Sequence, residues 1–491
     1  MLLSSAVLLV SCGEDTEVPA DTTSAGDTAA EAVETTVPAE TNPLTAWDYL
    51  PKKNYDGRTY TIVTPNGGTR YIPGQFLTEQ ESGDIIMDAA YRRNMTVEEG
   101  FSVKIKHVPL ASQTQFAAMI RSEIASMSDA YDLASAFQEQ TTPLATEGLF
   151  LANTSLPYQE DLSDKPWYSP KLNGALNFNG KQVLFYSDMT CITLSCTYGL
   201  FWNKSLGEKN GIKGLEQLAL DGKWTYDEFY KNTANFSKDL DGNGTWDDKD
   251  QYAFSCFTSM ASGSPSAVAF QYGMGQFTTV MDEQGNPKLA LNTTKMADIV
   301  QKLNDLCWTD NRTGMYSGTK VSAESFAAGN ILFWSAIIMH AANYMRDMKD
   351  TFVVLPQPKY DLEQEEYYTN TSNYSSMVFM VPQCVKDAEY SSMIFDALSY
   401  EGYKEVTPAF FEYSMKLKFS YDSVASQLFD IVRESTVLDF GMVYSGTTGI
   451  NTLIQTLVKN QSVDFASAFA SKKDAAESYY KEVIKNLNSI K

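Results

Sequence analysis

The sequence contains only two histidines, His107 and His340, among its 491 residues. Neither lies near a serine or cysteine nucleophile elbow, and no HExxH-type pair of zinc ligands occurs. The sequence also lacks a phosphate-binding GxxxxGK[ST] loop and a GxGxxG motif that follows a strand. We therefore expect no enzymatic activity. A carboxylate pair for glycoside hydrolysis is the open alternative, because such a pair forms in space and leaves no signature in sequence.

Basic residues are scarce as well. The 38 lysines and arginines are outnumbered by 61 aspartates and glutamates, which gives a formal net charge of −23. Such a negative chain is repelled by nucleic acid and by anionic membrane surfaces. We therefore expect neither of these as a binding partner.

Cysteines are few and irregularly spaced. Apart from Cys12, the chain has Cys191, Cys196, Cys256, Cys307 and Cys384. An odd number at irregular spacings does not form a disulfide framework. We expect most of these residues to be small, buried apolar side chains.

The first residues, "MLLSSAVLLVSCG", contain an apolar run that is too short to span a bilayer. The end of this run resembles a bacterial lipobox, in which Cys12 becomes the lipidated (palmitoylated) first residue once a signal peptide, residues 1–12, is cleaved. No lysine or arginine precedes the run, although signal peptides normally carry one. The alternatives are a true start upstream of Met1 and a cytoplasmic protein with an apolar N-terminus.

Residues 13–46 consist largely of Thr, Ala, Glu, Asp and Pro and include no basic residue. Such a segment cannot bury enough apolar surface to offset the entropy that ordering costs. It predicts a disordered acidic tether that extends by self-repulsion. Together with the lipobox, it predicts a protein anchored by lipid on the extracellular face of the membrane, or in the periplasm if the source has an outer membrane.

Residues 238–254, "KDLDGNGTWDDKDQYAF", have the spacing of an EF-hand-type calcium loop. Its ligand positions 1, 3, 5, 7, 9 and 12 fall on Asp239, Asp241, Asn243, Thr245, Asp247 and Asp250. Gly244 stands at position 6, where a sharp turn is needed. Asp250 departs from the pattern, because such loops usually end in a longer glutamate. A strand-like segment follows instead of a second helix, so we predict a structural calcium ion. The alternative is a solvated acidic turn without metal.

The segments after the tether alternate between strand and helix patterns. Arg58–Pro65, a helix near 83–101 and a strand near 102–108 come first, and a second helix and strand follow up to residue 136. This order predicts an α/β fold with a mostly parallel sheet covered by helices. Ligands of such sheets bind beyond the carboxyl ends of the strands. We therefore expect the binding site in the loops after Val63 and Ser135.

Several segments together, in their order along the chain, resemble extracellular solute-binding proteins of family 1, the maltose-binding-protein-like lipoproteins of ABC importers. They include "DAYDLASA", "LATEGLFLANTSLPY", "FNGKQVLFYSDMT", "YGLFWNKSL", "KWTYDEFY" and "SFAAGNILFW". The resemblance covers the whole chain after the tether. It implies a two-lobe periplasmic-binding-protein-like fold, in which each lobe is a mostly parallel sheet flanked by helices and the ligand binds in a hinged cleft between the lobes.

The resemblance also implies where the lobes lie along the chain. Lobe one is expected from residues 56–185 and 332–382. Lobe two is expected from residues 186–331, which contain the calcium loop 239–250, and from 383–491. The last helix is expected to carry Ala476, Tyr480, Val483, Leu487 and Ile490 on one side.

A sugar site combines flat aromatic rings with amides and carboxylates. On this basis and by the resemblance, we predict as ligand-binding residues Asn66, Tyr71, Gln138, Asp188, Trp334, Tyr374 and Tyr444. The alternatives are turn-forming roles for Asn66 and Asp188, an exposed loop amide for Gln138, and core packing for the aromatic residues.

The expected function is therefore the capture of a sugar or oligosaccharide by a monomer and its delivery to the permease subunits of an ABC importer. The alternative is a carbohydrate-capture or sensing lipoprotein that is not coupled to transport, because the same cleft would serve both.

Overall fold

The computed structural model describes residues 45–66, 74–257, 265–316, 318–372, 375–416 and 423–490. The described residues do not include Cys12, Tyr71 or Tyr374. They include only the end of the expected tether. Within the described part of the chain, no helix combines the length and the apolar character that a membrane crossing requires.

The strands of the described residues are β1 (Arg58–Pro65), β2 (Val103–Leu110), β3 (Leu133–Phe137), β4 (Tyr198–Asn203), β5 (Tyr252–Phe257), β6 (Thr279–Met281), β7 (Pro287–Leu289), β8 (Thr313–Tyr316), β9 (Ile331–Ile337), β10 (Phe352–Leu355), β11 (Thr369–Asn370), β12 (Met377–Met380) and β13 (Thr436–Val437).

The α-helices of the same residues are α1 (Ala46–Tyr49), α2 (Ile85–Phe101), α3 (Gln113–Ser126), α4 (Gln138–Thr146), α5 (Pro170–Leu176), α6 (Ile192–Ser195), α7 (Lys204–Lys209), α8 (Leu215–Leu220), α9 (Tyr226–Thr233), α10 (Pro265–Gly273), α11 (Thr294–Trp308), α12 (Thr319–Ala327), α13 (Met339–Tyr344), α14 (Ala388–Lys416), α15 (Ser423–Glu434), α16 (Phe440–Val443), α17 (Leu453–Lys459) and α18 (Phe465–Ser489).

The first sheet has four strands in the order β12-β3-β1-β2. The alternating sequence patterns predicted three of these strands, β1, β2 and β3. β1 pairs in parallel with β2 and β3, and β12 runs antiparallel to β3. The helix between β1 and β2 begins where the sequence indicates, because the Asp84 carboxylate accepts hydrogen bonds from the Ile86 and Met87 amides at 3.0 Å. It ends at Ser102, which adopts a left-handed conformation.

The second sheet has five strands in the order β10-β4-β9-β5-β8. β5 pairs in parallel with β8 and β9, and β4 runs antiparallel to both β9 and β10. The strand pairing corrects the expected return of residues 332–382 to lobe one. β9 and β10 lie in the sheet of β4, and only β12 joins the first sheet. The sequence could not predict this pairing, because a fully buried apolar strand such as β9 has a pattern that is compatible with either sheet.

The 29-residue helix α14 packs on the first sheet's side, which corrects part of the expectation that residues 383–491 belong to lobe two. The Trp47 indole donates to Glu401 at 2.6 Å, and the Tyr49 hydroxyl hydrogen-bonds Asp396. The Arg58 guanidinium pairs with Asp387 at 2.6 Å. These polar partners hold α14 and the residue before it against α1 and the start of β1, and α14 also packs against α2. A reading from apolar periodicity misses this placement.

The final helix α18 buries Ala476, Tyr480, Val483 and Leu487, as its periodicity predicted. It packs against α11 and α17 and also contacts α4 and β7. The prediction of buried cysteines is confirmed for Cys191, Cys196, Cys307 and Cys384, which are free thiols.

Candidate functional site

The acidic loop folds tightly around the side chain of Asp239. Its two carboxylate oxygens accept hydrogen bonds from the Gly242 and Gly244 amides, both at 2.8 Å. Both glycines have positive φ angles, of 69° and 77°, which a residue with a Cβ rarely adopts. The hydrogen bond from Gly244 is the main reason that the pKa of Asp239 is lowered. The loop is therefore shaped to keep this carboxylate ionised.

Three carboxylates of the loop come together. Oxygen atoms of Asp239, Asp241 and Asp250 lie within 4.8 Å of one another. Asp250 is buried, and its oxygens accept hydrogen bonds from the Leu240 and Asp247 amides at 2.9 Å. Hard oxygen donors at this spacing fit a hard divalent cation such as Ca²⁺.

Two more predicted ligands have their own bonds within the loop. The Asn243 side-chain oxygen accepts a hydrogen bond from the Thr245 amide at 2.6 Å. The Asp247 carboxylate is not part of the close group and accepts a hydrogen bond from the Lys249 amide at 2.9 Å. In EF-hand-type loops the ninth position often reaches the ion through water, so this placement is consistent with the predicted set.

The carboxyl ends of strands from both sheets meet through a short path of hydrogen bonds. After β9, the Ile338 amide donates to the Thr197 carbonyl at 2.9 Å, and Thr197 pairs with Thr371 as an isolated bridge. The hydroxyls of Thr371 and Ser376 form a hydrogen bond, and the Gln138 amide donates to the Ser376 carbonyl at 3.0 Å. This path connects the end of β9 to the end of β3.

Among the side chains with a buried nitrogen or oxygen atom that lacks a hydrogen-bond partner in the described residues, we group five that lie in or shortly after strands. We call them the strand-end site: Gln138 (Nε2), Trp334 (Nε1), His340 (Nδ1), Gln357 (Oε1) and Asn370 (Oδ1). Buried polar atoms in proteins nearly always have partners, so each of these exceptions needs an explanation. Two of the atoms donate, two accept, and the imidazole nitrogen can do either.

The imidazole of His340 is held beside Trp334. The two rings stack with centroids 5.7 Å apart and planes inclined by 18°. Burial lowers the pKa of His340 to about 4, so the ring is neutral at pH 7 and presents one donor and one acceptor.

The predicted binding residues have different surroundings. Gln138 begins α4 and is fully buried, and its side-chain oxygen accepts a hydrogen bond from the Tyr186 hydroxyl. Trp334 is also buried and packs against Phe201 at 5.3 Å. Asn66 is exposed at the end of β1, and its amide donates to the Leu110 carbonyl at 2.6 Å.

Tyr444 is buried in the hydrophobic core. Its ring lies 4.7 Å from that of Phe440. This packing accounts for its burial without a ligand, which corresponds to the core alternative weighed for this residue.

Asp188 has a protein partner. Its carboxylate accepts a hydrogen bond from the Arg433 guanidinium at 2.9 Å. Both side chains line a cavity of about 640 Å³ beside the crossover between the sheets, together with Thr193, Thr197 and Tyr403. Burial raises the pKa of Asp188 to about 6, and the guanidinium opposes that rise. The carboxylate predicted to hold a ligand is thus held by a cation of the chain.

Sequence reasoning missed His340, Gln357 and Asn370. The residues around His340 form no catalytic motif, and nothing else in its local sequence indicates a binding role. Gln357 stands two residues beyond β10, and its amide nitrogen donates to the Ser335 hydroxyl at 3.3 Å. A polar residue just after an apolar strand was an available signal, because ligands bind at such ends.

The chain matches no family model and no curated protein. Its structure is similar to that of the cyclic alpha-maltosyl-1,6-maltose binding protein from Arthrobacter globiformis. That alignment has a TM-score of 0.56 and 18% sequence identity over 88% of this chain and 99% of that one. A cyclo/maltodextrin-binding protein complexed with maltotetraose aligns with a TM-score of 0.53 and 14% identity over 89% and 98% of the two chains.

The GacH receptor of Streptomyces glaucescens, solved without ligand and with acarbose, aligns with a TM-score of 0.51 and 12% identity over 89% of this chain and 100% of that one. At such identities the likeness establishes the fold. The chain has the two-lobe α/β fold of periplasmic binding proteins, as predicted. The expectation of a mostly parallel sheet in each lobe is wrong for the second sheet, where β4 pairs antiparallel with both of its neighbours.

Proposed function

We propose that this protein binds a sugar or oligosaccharide between its two lobes and delivers it to an ABC importer. The observation that carries the proposal is the strand-end site, where five buried polar atoms lack partners among the described residues. The site lies where ligands of open α/β sheets bind, at the carboxyl ends of the strands. Two solved proteins of similar structure were determined with maltotetraose and with acarbose. Binding, not catalysis, is the proposed activity.

The chemistry of the site suits hydroxyl groups. A hydroxyl both donates and accepts a hydrogen bond, and the strand-end site offers both kinds of partner. The Trp334 and Gln138 nitrogens donate, whereas the Gln357 and Asn370 oxygens accept. All of these atoms are buried, so each hydrogen bond to a ligand would form away from competing water. A charged ligand finds no ionised partner among these five side chains, since His340 is neutral.

The proposed mechanism is closure of the lobes on the ligand. Gln138 follows a strand of the first sheet, and His340 and Gln357 follow strands of the second. A ligand that contacts both groups binds the closed form more tightly than the open form, and it shifts the population by that difference in affinity. The closed form would then dock on permease subunits as a monomer and release its sugar there.

We further propose that Cys12 carries the lipid that anchors the chain outside the cell and that residues 13–46 act as the tether. A tether restricts the protein to a small volume near the permease and so raises its effective concentration there. Partition of the full chain into a detergent phase after expression in a lipidating host, lost in Cys12→Ser, would support this. Equal partition of both forms would contradict it.

The acidic loop is proposed to bind one structural Ca²⁺. The grouping of Asp239, Asp241 and Asp250 supports this, as does the oxygen donor set of the loop. β5 follows the loop directly, so no second helix is present there to be moved by the ion. The ion would neutralise the clustered carboxylates and fix the connection between α9 and the central strands.

The test of the main proposal is calorimetric titration of the full chain with neutral α- and β-linked tetrasaccharides, maltotetraose among them. We expect saturable heat with at least one sugar, accompanied by a smaller radius of gyration in small-angle scattering. Absence of binding across the panel, or binding that leaves the radius unchanged, would contradict capture by lobe closure.

A further inference from the structure

A pocket of about 260 Å³ lies next to the acidic loop, at the edge of the second sheet formed by β5 and β8. Its walls include four aromatic side chains, Trp246, Tyr252, Trp308 and Tyr316, and four polar ones, Asp247, Asp248, Asn311 and Thr313. Tyr252 is the first residue of β5, and Tyr316 belongs to β8 at the edge of the sheet. The lining of the pocket includes none of the five residues of the strand-end site.

Trp308 is the unusual residue of this pocket, because 42% of a large apolar side chain is exposed there. The ring is nevertheless held in place, since its indole nitrogen donates to the Val458 carbonyl at 2.8 Å. The polar edge of the ring is therefore satisfied within the protein, and apolar surface is left facing outward. An immobile exposed indole is a feature of binding surfaces.

Two tyrosines form the buried part of the pocket. Tyr252 and Tyr316 are 5% and 4% exposed, and their rings lie 6.2 Å apart in an edge-to-face arrangement. Gly314 makes this possible, because a Cβ at that position would lie 2.6 Å from the Tyr316 ring and 2.8 Å from the Tyr252 ring. The Trp246 ring is 5.6 Å from that of Tyr252 and continues the aromatic wall.

Polar groups complete the pocket. The Asp248 carboxylate accepts hydrogen bonds, and the Asn311 amide both donates and accepts them. Both side chains are exposed and are therefore accessible to a ligand. No basic side chain lines the pocket among the described residues. Aromatic faces with a few amide and carboxylate groups suit a ring that has apolar C–H faces and a rim of hydroxyls.

We infer that this aromatic pocket is a second binding site for a neutral sugar ring, independent of the strand-end site. Its volume is below the roughly 300–1,000 Å³ of sites for drug-sized ligands, so it suits one ring or the end of a chain. Aromatic rings and a carboxylate also attract organic ammonium ions. The Asn311 amide favours the sugar, because an alkylated ammonium ion makes little use of a side chain that both donates and accepts.

The inference can be tested by ¹⁹F NMR of the full chain labelled with 5-fluorotryptophan. The chain has seven tryptophans, and substitution of Trp246, Trp308 and Trp334 by phenylalanine in turn assigns the three informative signals. The titrants are maltotetraose, cellotetraose, xylotetraose and chitotetraose, with choline chloride as the ammonium probe. Trp334 reports on the strand-end site, so the two sites are observed separately in one spectrum.

We expect at least one sugar to shift the Trp308 and Trp246 signals until they saturate. Because the two sites are independent, this shift should also occur in titrations that leave the Trp334 signal unchanged. Trp308→Ala is expected to weaken this second binding event about tenfold, as loss of a stacking ring does. Leu362→Ala, which alters another exposed apolar residue, should leave it unchanged, and thermal melts of each variant report on folding.

Two results would overturn the inference. One is a Trp308 signal that no sugar shifts, and the other is a signal that responds to choline alone. Because Trp334 is followed in the same samples, failure of the second site is distinguished from failure of sugar binding at the strand ends.

Discussion

The carboxylate of Asp188 and the guanidinium of Arg433 lie 2.9 Å apart and join the first crossover between the sheets to helix α15. The pair lines the cavity of about 640 Å³, and the Asp188 side chain is 15% exposed. Because the Asp188 side chain is largely buried, its ionised form would be costly without the guanidinium of Arg433.

The stability of the protein is expected to fall as Asp188 ionises. Its pKa is raised from 3.8 to about 6 on folding, so the folded protein binds this proton more tightly than the unfolded chain does. The stabilisation is complete below pH 3.8 and is lost as the pH rises through about 6. The difference in unfolding free energy between wild type and Asp188→Asn should therefore decrease, by on the order of 3 kcal/mol, from pH 4 to pH 7.

Urea unfolding at several pH values measures this difference. Asp430→Asn, which alters an exposed carboxylate of the same cavity, is the matched control and should keep the pH dependence of wild type. A constant difference between wild type and Asp188→Asn across this range would show that Asp188 keeps an ordinary pKa.

The two histidines of the chain should respond differently to the same substitution. His340→Phe keeps an aromatic ring beside Trp334 and removes a nitrogen that has no partner among the described residues. We expect sugar affinity to fall about tenfold, the effect of one lost hydrogen bond of roughly 1.4 kcal/mol, with little change in stability.

His107→Phe is the matched control. Its Nε2 atom is 2.8 Å from the Thr64 hydroxyl, and its ring stacks on Phe76 at 5.0 Å. This variant should lose roughly 1 kcal/mol of stability while its affinity for sugar is kept. Calorimetry measures the sugar affinity of both variants, and thermal melts measure their stability. If His107→Phe weakened sugar binding and His340→Phe did not, the site would lie elsewhere.

Calcium is expected to stabilise the folded protein. An ion that binds only the folded chain adds about 2.7 kcal/mol at one hundred times its dissociation constant, which raises the melting temperature by at least about 2 °C. Excess chelator should reverse the rise, and Asp250→Asn should reduce it, because Asp250 is part of the close carboxylate group.

Asp474→Asn, at an exposed position of α18, is the control and should keep the full response. A melting temperature of wild type that calcium and chelator leave unchanged would support the solvated acidic turn.

Two glycines in helices should have opposite responses to alanine. A Cβ on Gly402 of α14 would collide with the carbonyl oxygen of Asp188 and lie 2.7 Å from the Met189 Cα atom. We expect Gly402→Ala to destabilise the protein by about 1–3 kcal/mol, since backbone rather than a flexible side chain must move.

Gly174 of α5 is the matched position, because a Cβ there meets no atom within 4 Å. Gly174→Ala should stabilise the protein by up to about 1 kcal/mol through helix propensity. Denaturant melts measure both changes. A neutral Gly402→Ala would show that α14 is not packed against the crossover.

Sequence patterns predicted the structure correctly where all of the determining residues lie within one short segment. β1 ends at Pro65, as read from the sequence, and α18 buries the face that its periodicity marked. α9 ends at Thr233, and Asn235 takes a left-handed conformation just beyond it. A turn of this kind depends on a single residue's φ angle, which apolar spacing does not report.

The alternation of strands and helices and the ligand spacing of the acidic loop follow from local sequence patterns, because both depend on residues close together in the chain. That β9 and β10 join the second sheet and that α14 packs beside α2 became known only from the folded chain. The same holds for the pairing of Asp188 with Arg433 and for the buried polar atoms that lack a partner in the described part of the chain. These features arise between residues that are distant in sequence, where burial and geometry, and not local propensity, select the contacts.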